Sequence, residues 1–169
     1  MIEPDYVRTM ARYNTWQNNQ LAQLLEGVSQ DDLLLDRGAF FGSIMATLNH
    51  LLWADTLWLN RFAPDMPAPT CDGREALSVH STFDAWRKER LHKDEQINLW
   101  ANRLNSDDLR GDLAWRAVLL QKDFAKPIKD CVMQVFNHQT HHRGQVHMML
   151  TSIGREAPVS DLILMPDDA

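Results

Sequence analysis

Residues 131–150 read CVMQVFNHQTHHRGQVHMML. Apolar side chains recur through this stretch at the spacing of an α-helix: Ile128, Cys131, Val132, Val135, Val146, Met149 and Ile153 fall on one stripe. Pro127 suits the start of such a helix and Gly154 its end, so a helix is expected from about Pro127 to about Ile153. Four of the chain's seven histidines lie in it. At about 100° per residue, His142 falls inside the apolar stripe and His138 on its edge, about 40° away. His141 points away from the stripe, and His147 lies roughly opposite His138. A helix with an apolar face this long needs other elements to cover it.

Three further stretches supply them. From about Pro4 to about Glu26, Tyr6, Met10, Tyr13, Gln17, Leu21, Leu24 and Leu25 keep helical spacing, and Gly27 ends the run. Ser43 is a suitable N-cap for IMATLNHLLWADTLWLNRF, residues 44–62, which is apolar on most sides and expected deep in the fold. After the loop APDMPAPTCDG, a helix from about Thr82 to about Leu104 aligns Phe83, Trp86, Arg90, Ile97, Trp100 and Leu104. Its other faces are heavily charged, as on a solvated helix. Residues 106–127, bracketed by Gly111 and Pro127, read as a short hairpin or extended crossover. The tail REAPVSDLILMPDDA reads as irregular, packing Leu162, Ile163 and Leu164 against the rest. The expectation is an all-α, single-domain four-helix bundle over residues 1–169, with a long crossover before the last helix.

Composition narrows the function classes. The net charge is −6, with 17 Lys and Arg scattered among 23 acids, so no basic stripe exists for phosphate neutralisation and nucleic acid is not an expected partner. No run approaches ~18 apolar residues, so no membrane span is expected. The stretch MIEPDYVRTMARYNTW lacks the apolar segment of a secretory signal, which makes the cytoplasm the expected location. Cys71 and Cys131 form no C-x-x-C motif; a single long-range disulfide between them is formally open.

The chemistry-bearing residues are the histidines. His138 and His142, one turn apart and facing inward, present two imidazoles to a common point, as in the H-x3-H arrangement of helical zinc sites. A stable site needs a third ligand from another helix. His50, in the middle of the apolar second helix, is the best candidate, whereas His80 and His92 fall in a loop-like and a charged region. Three histidine ligands would leave a coordination position open, the mark of a catalytic rather than a structural site. The same spacing also suits histidines that are simply satisfied within a core, and periodicity alone leaves both alternatives standing. Asp55 sits in an apolar stripe with Ile44, Leu48, Leu51, Leu59 and Phe62. It reads either as support for a ligating histidine or, preferentially, as half of a buried ion pair with Arg143 or Arg12. At about 140° around the helix from His50, it could support only the other two histidines. Cys131 reads as a small buried hydrophobe and the six tryptophans as core and interface area.

The segment NHQTHHRGQVHMML resembles the H-x3-H-R-G-Q signature of the DinB-like family, named for DNA-damage-inducible proteins. RYNTWQNNQL and RGAFFGSIMATLNHLLWADTLWLNRF resemble that family's first two helices, in the right order. The resemblance implies a four-helix bundle of up-down-down-up topology, assembled as a homodimer. It also implies one divalent metal ion per chain, zinc or nickel, held by His50, His138 and His142. Relatives of this fold include thiol-dependent transferases and isomerases. The expected function is therefore a metal-dependent enzyme that activates water or a low-molecular-weight thiol toward a small-molecule substrate, with its catalytic residues unassigned. The alternatives are a non-catalytic metal-binding or stress-response protein and, last, a dimerising module with a dead site.

Overall fold

The computed structural model describes residues 2–117 and 120–169. Its long helices are α1 (Pro4–Leu25), α3 (Ile44–Phe62), α4 (Phe83–Arg103) and α5 (Ile128–Ser152), joined by a short α2 (Gln30–Leu34) and a two-stranded hairpin, β1 (Asp112–Ala117) and β2 (Lys122–Pro127). The expected ends hold to within a residue or two because local chemistry sets them. The Ser43 hydroxyl accepts from the Ala46 amide at 3.1 Å, and Thr82 caps α4 in the same way through the Ala85 amide. Gly27 and Gly154 stand just past helices at φ 76° and 73°, backbone conformations that a side chain would strain.

The helices pack as a ring: α1 against α4, α4 against α3, α3 against α5, and α5 against α1. Two apolar clusters fill it. One gathers Leu21, Leu25, Ile44, Leu48, Trp86, Met149 and Leu150; the other gathers Val7, Ala11, Leu59, Ile97, Trp100, Val132 and Phe136. Burying each large side chain contributes about 1.5–3 kcal/mol.

Between the two clusters runs a buried polar layer to which all four long helices contribute. Arg90 on α4 donates to Asp55 on α3 at 2.6 Å and pairs with Asp94 at 2.8 Å. Gln139 on α5 donates to the other oxygen of Asp55 at 2.7 Å. Asn18 on α1 donates to both oxygens of Asp94, and Arg143 on α5 donates to Asn14 on α1. Two carboxylates thus face two guanidinium groups. Burial pushes the Asp94 carboxyl up to about 6 against the opposing pull of Arg90, and brings Arg143 down to about 10. Asp55 is therefore in a buried ion pair as expected, but with Arg90, not with Arg143 or Arg12. Arg90 lies on the stripe of α4 that faces α3, whereas Arg143 turns to α1, and Arg12 donates to the backbone carbonyls of Asp167 and Ala169. The inward face of α4 is also less apolar than its pattern implied, since Lys93 and Asp94 are buried.

The segment before α5 forms the hairpin. Alternate residues of β1 turn inward, and Trp115 stacks on Phe124 and meets Trp58 of α3 edge-on at 5.5 Å. Arg61 lies over the Trp58 and Trp115 rings. Only one face of the hairpin has α3 to cover, so its alternation is weak in sequence. Val118 and Leu119, part of the expected hairpin, lie outside the described residues. The tail departs from expectation. Leu162, Ile163 and Leu164 form an exposed 3-10 turn, with Ile163 91% accessible. Polar bonds hold the tail instead, from Tyr13 to the Ser160 carbonyl and from Gln17 to the Val159 carbonyl, each 2.6 Å. Cys71 and Cys131 are both free thiols.

Removing Arg90 from the polar layer leaves Asp55 and Asp94 buried without their ion-pair partner. Arg90→Met is expected to lower the unfolding free energy by about 3–5 kcal/mol, read from urea denaturation at neutral pH; a loss below about 1 kcal/mol, the range of an exposed pair, would show that the layer is solvated.

Candidate metal centre

His50 projects from the middle of α3, and His138 and His142 project one turn apart from α5. The α3–α5 contact brings the three rings together: centroids are 5.0 Å apart for His50 and His138, 4.7 Å for His50 and His142, and 4.4 Å for His138 and His142. One ring nitrogen from each falls within 4.8 Å of the other two, and the Nε2 atoms of His50 and His138 are 3.0 Å apart. His142 is buried, whereas His50 and His138 are half-buried, so the group sits at the edge of the bundle with one side toward solvent.

Burial is the largest influence on all three rings. It holds His50 down to about 3 and His138 to about 4, each reinforced by repulsion from neighbouring imidazoles, and lowers His142 as well. At neutral pH the rings are uncharged, each with one nitrogen free of a proton. His142 is also oriented. Its Nδ1 lies 2.7 Å from the Gln145 side-chain oxygen, which only accepts, so Nδ1 carries the proton and Nε2 keeps its lone pair. Phe41, from the turn before α3, packs on His50 at 4.1 Å and on His142 at 5.3 Å between ring centroids.

This donor set fits a divalent cation. Lone pairs from three neutral imidazoles converge where, with nothing between them, adjacent nitrogens would face each other with one shared proton at most. Imidazole nitrogens are good ligands for zinc, nickel, copper and iron. Among the described residues no carboxylate or thiol belongs to the group, so the rings would leave coordination positions for exchangeable ligands.

The residues singled out in the sequence fall as follows. His50, His138 and His142 come together, and His141 is exposed, its ring beside His142 but outside the group. Asp55 contacts none of the three histidines. It acts on His138 through space, favouring the protonated ring, and it accepts from Gln139, the residue that follows His138 on α5. Cys131 is buried and belongs to no metal-binding group. Gln145 and Phe41 were missed. Gln145 lies one turn beyond His142, within the H-R-G-Q segment, a spacing that could have marked it. Nothing local in the sequence brings Phe41 to the site, since it arrives through the turn closed by Ala39 and Gly42.

The ring of helices and the three converging imidazoles define a class, the helical-bundle proteins with a three-histidine group that could hold a metal ion. Within that class, the model of the DinB family matches residues 1–169, and the chain belongs to the DinB family. The crystal structure of a DinB-like protein from Bacillus cereus is similar in fold, with a TM-score of 0.65 at 16% sequence identity, over 86% of this chain and 91% of that one. No curated protein matches the chain significantly. No described helix is long and apolar enough to cross a membrane.

Because the folded rings protonate only well below their ordinary 6.5, the unfolded chain takes up protons that the folded chain refuses as pH falls. Metal-free protein is therefore expected to lose stability from about pH 6.5 downward, until the rings titrate near about 4 and about 3. His138→Gln should flatten this slope, read from urea midpoints at successive pH values; identical slopes for the two proteins would show that His138 is not desolvated.

Proposed function

We propose that this DinB-family protein is a metal-dependent enzyme in which His50, His138 and His142 hold one divalent ion, zinc or nickel, to activate water or a low-molecular-weight thiol against a small electrophilic substrate. The observation that carries the proposal is the convergence of three uncharged imidazoles, two of them half-buried, with no fourth protein ligand among the described residues. A divalent ion there supplies Lewis acidity, lowering the pKa of water or thiol enough to give a nucleophile near neutral pH. The chain's own part is to keep the rings unprotonated by burial, to fix the His142 tautomer through Gln145, and to present the apolar Phe41 ring beside the open side.

The second reading is a non-catalytic metal-binding or stress-response protein. It is favoured by the lack of a carboxylate in the histidine group among the described residues, which leaves no evident proton acceptor. Turnover decides between the two readings.

We further propose the up-down-down-up topology, a homodimer and a cytoplasmic location. The topology is supported by the order of contacts along two of the helix pairs. Arg8 with Leu104 and Arg87 with Glu26 run in opposite directions along α1 and α4, whereas Leu48 with Trp86 and Phe62 with Trp100 run in the same direction along α3 and α4. Family membership supports the dimer, and the two free cysteines accord with a reducing compartment.

Elemental analysis of protein purified without added metal is expected to give one ion per chain. His138→Ala and His142→Ala should each abolish tight binding and any thiol-dependent or hydrolytic turnover, while His141→Ala keeps both. Equal loss in all three variants would contradict the ligand assignment. Stabilisation by metal with no turnover toward electrophiles, with or without thiols, would favour the second reading. Sedimentation of the metal-loaded protein should show a dimer, and a monomer at all concentrations would overturn that part.

A further inference from the structure

A second cavity, of about 290 Å³, lies between α3, α4 and the segment 63–80. None of the three site histidines lines it. Trp53 stands between the two places. Its ring lies 6.2 Å from that of His50 and also forms one wall of the cavity. The ring is fixed there: its indole N–H donates to the Cys71 carbonyl at 3.0 Å, and Gly73 approaches so closely that an added Cβ would meet the ring at 3.2 Å.

The lining is apolar along Leu52, Trp53, Ala76 and Val79. It also holds one charged group that the protein leaves incompletely satisfied. Lys93 is only 3% accessible, and among the described residues its ammonium has one acceptor for three protons, the Gln96 side-chain oxygen at 2.6 Å. Asn49, also on the lining, spends its amide donors on the Leu77 and His80 carbonyls. A buried cation short of acceptors carries a desolvation cost that a suitable anion would offset.

We propose that this cavity binds a small organic carboxylate with an apolar body, its carboxylate on Lys93 and its body against Trp53. The electrostatics of the wall agree with the sign of the ligand. Burial, and then the nearby Arg90 charge, weaken the Lys93 ammonium more than Glu89 and Asp55 support it, and a bound anion would add to that support. The carboxylate of Glu89, also on the lining, is exposed to solvent, so its charge is screened relative to the buried amine. The cavity is of a size that holds a single small molecule.

Calorimetric titration of the metal-loaded protein with N-acetyl-L-phenylalanine, and with its uncharged amide, tests the assignment. The carboxylate is expected to bind at least about tenfold more tightly than the amide, as a charge-assisted contact requires. Lys93→Met should erase that preference without lowering the melting temperature, since a buried, poorly partnered ammonium is replaced by an apolar chain of similar length. The carboxylate should also shift the Trp53 indole resonance, which is assigned by its loss in Trp53→Phe. His142→Ala should leave this binding intact, so loss of the metal reading would not touch the result. Equal affinities for the two compounds, binding unchanged in Lys93→Met, binding lost in His142→Ala, or no binding at about 10 mM would each overturn the proposal.

Discussion

Arg90, held between Asp55 and Asp94, ties together helices that apolar contacts alone would leave free to slide. Hydrophobic burial is non-directional, so two apolar faces can meet in several registers at similar free energy. A guanidinium bonded to Asp55 on α3 has one low-energy position, and the Gln139 amide bonded to the other Asp55 oxygen fixes α5 against α3 at the same level. Gln139 is the residue after His138. The bond that sets the register of α3 and α5 is therefore also the one that places His138 opposite His50. A slip of one turn, about 5.4 Å, would carry the imidazoles out of reach of each other. Such a layer need not add net stability, because desolvating the charges offsets much of their attraction. Its contribution here is specificity of register.

Desolvation acts differently on the two kinds of polar group in this bundle. In the central layer both carboxylates pair with Arg90 and Arg143 is bonded to Asn14, so burial is tolerated through pairing and hydrogen bonding. At the histidine group no counter-charge touches the rings, and burial instead drives them to the neutral form that a metal requires. Asp55 lies close enough to His138 to favour its protonated form, yet the depression from burial and from neighbouring rings outweighs it. The carboxylate that secures the fold thus works weakly against the site, and its pairing with Arg90 limits that effect.

Much of this was readable from residue order. The i, i+4 spacing of His138 and His142 on the apolar stripe of α5 places both rings on one side, and an apolar α3 puts His50 inside; helix geometry carries that inference without knowledge of the neighbours. Ser43 and Thr82 mark helix starts because capping is local. What escaped was long-range. The partner of Asp55 is 35 residues away on α4, where Arg90, Lys93 and Asp94 sit among exposed charges of identical type. Composition cannot distinguish a paired buried charge from a solvated one. Phe41 reaches the histidines through a turn, and the apolar triplet of the tail stays in solvent because polar bonds to Tyr13 and Gln17 already satisfy the chain there.

The faces of α3 also divide its chemistry. Residues 49, 52, 53 and 56 recur at three- and four-residue intervals and line one wall of the second cavity, while His50 lies about 100° around the helix from Asn49 and faces α5. Trp53, between these directions, is large enough to touch both sides and is pinned by Cys71 and Gly73 of the loop that follows α3. A rigid aromatic wall shared by a histidine group and a cavity transmits displacement poorly unless the loop moves with it. Displacement of the ring would therefore involve the 63–73 segment, whose backbone holds it.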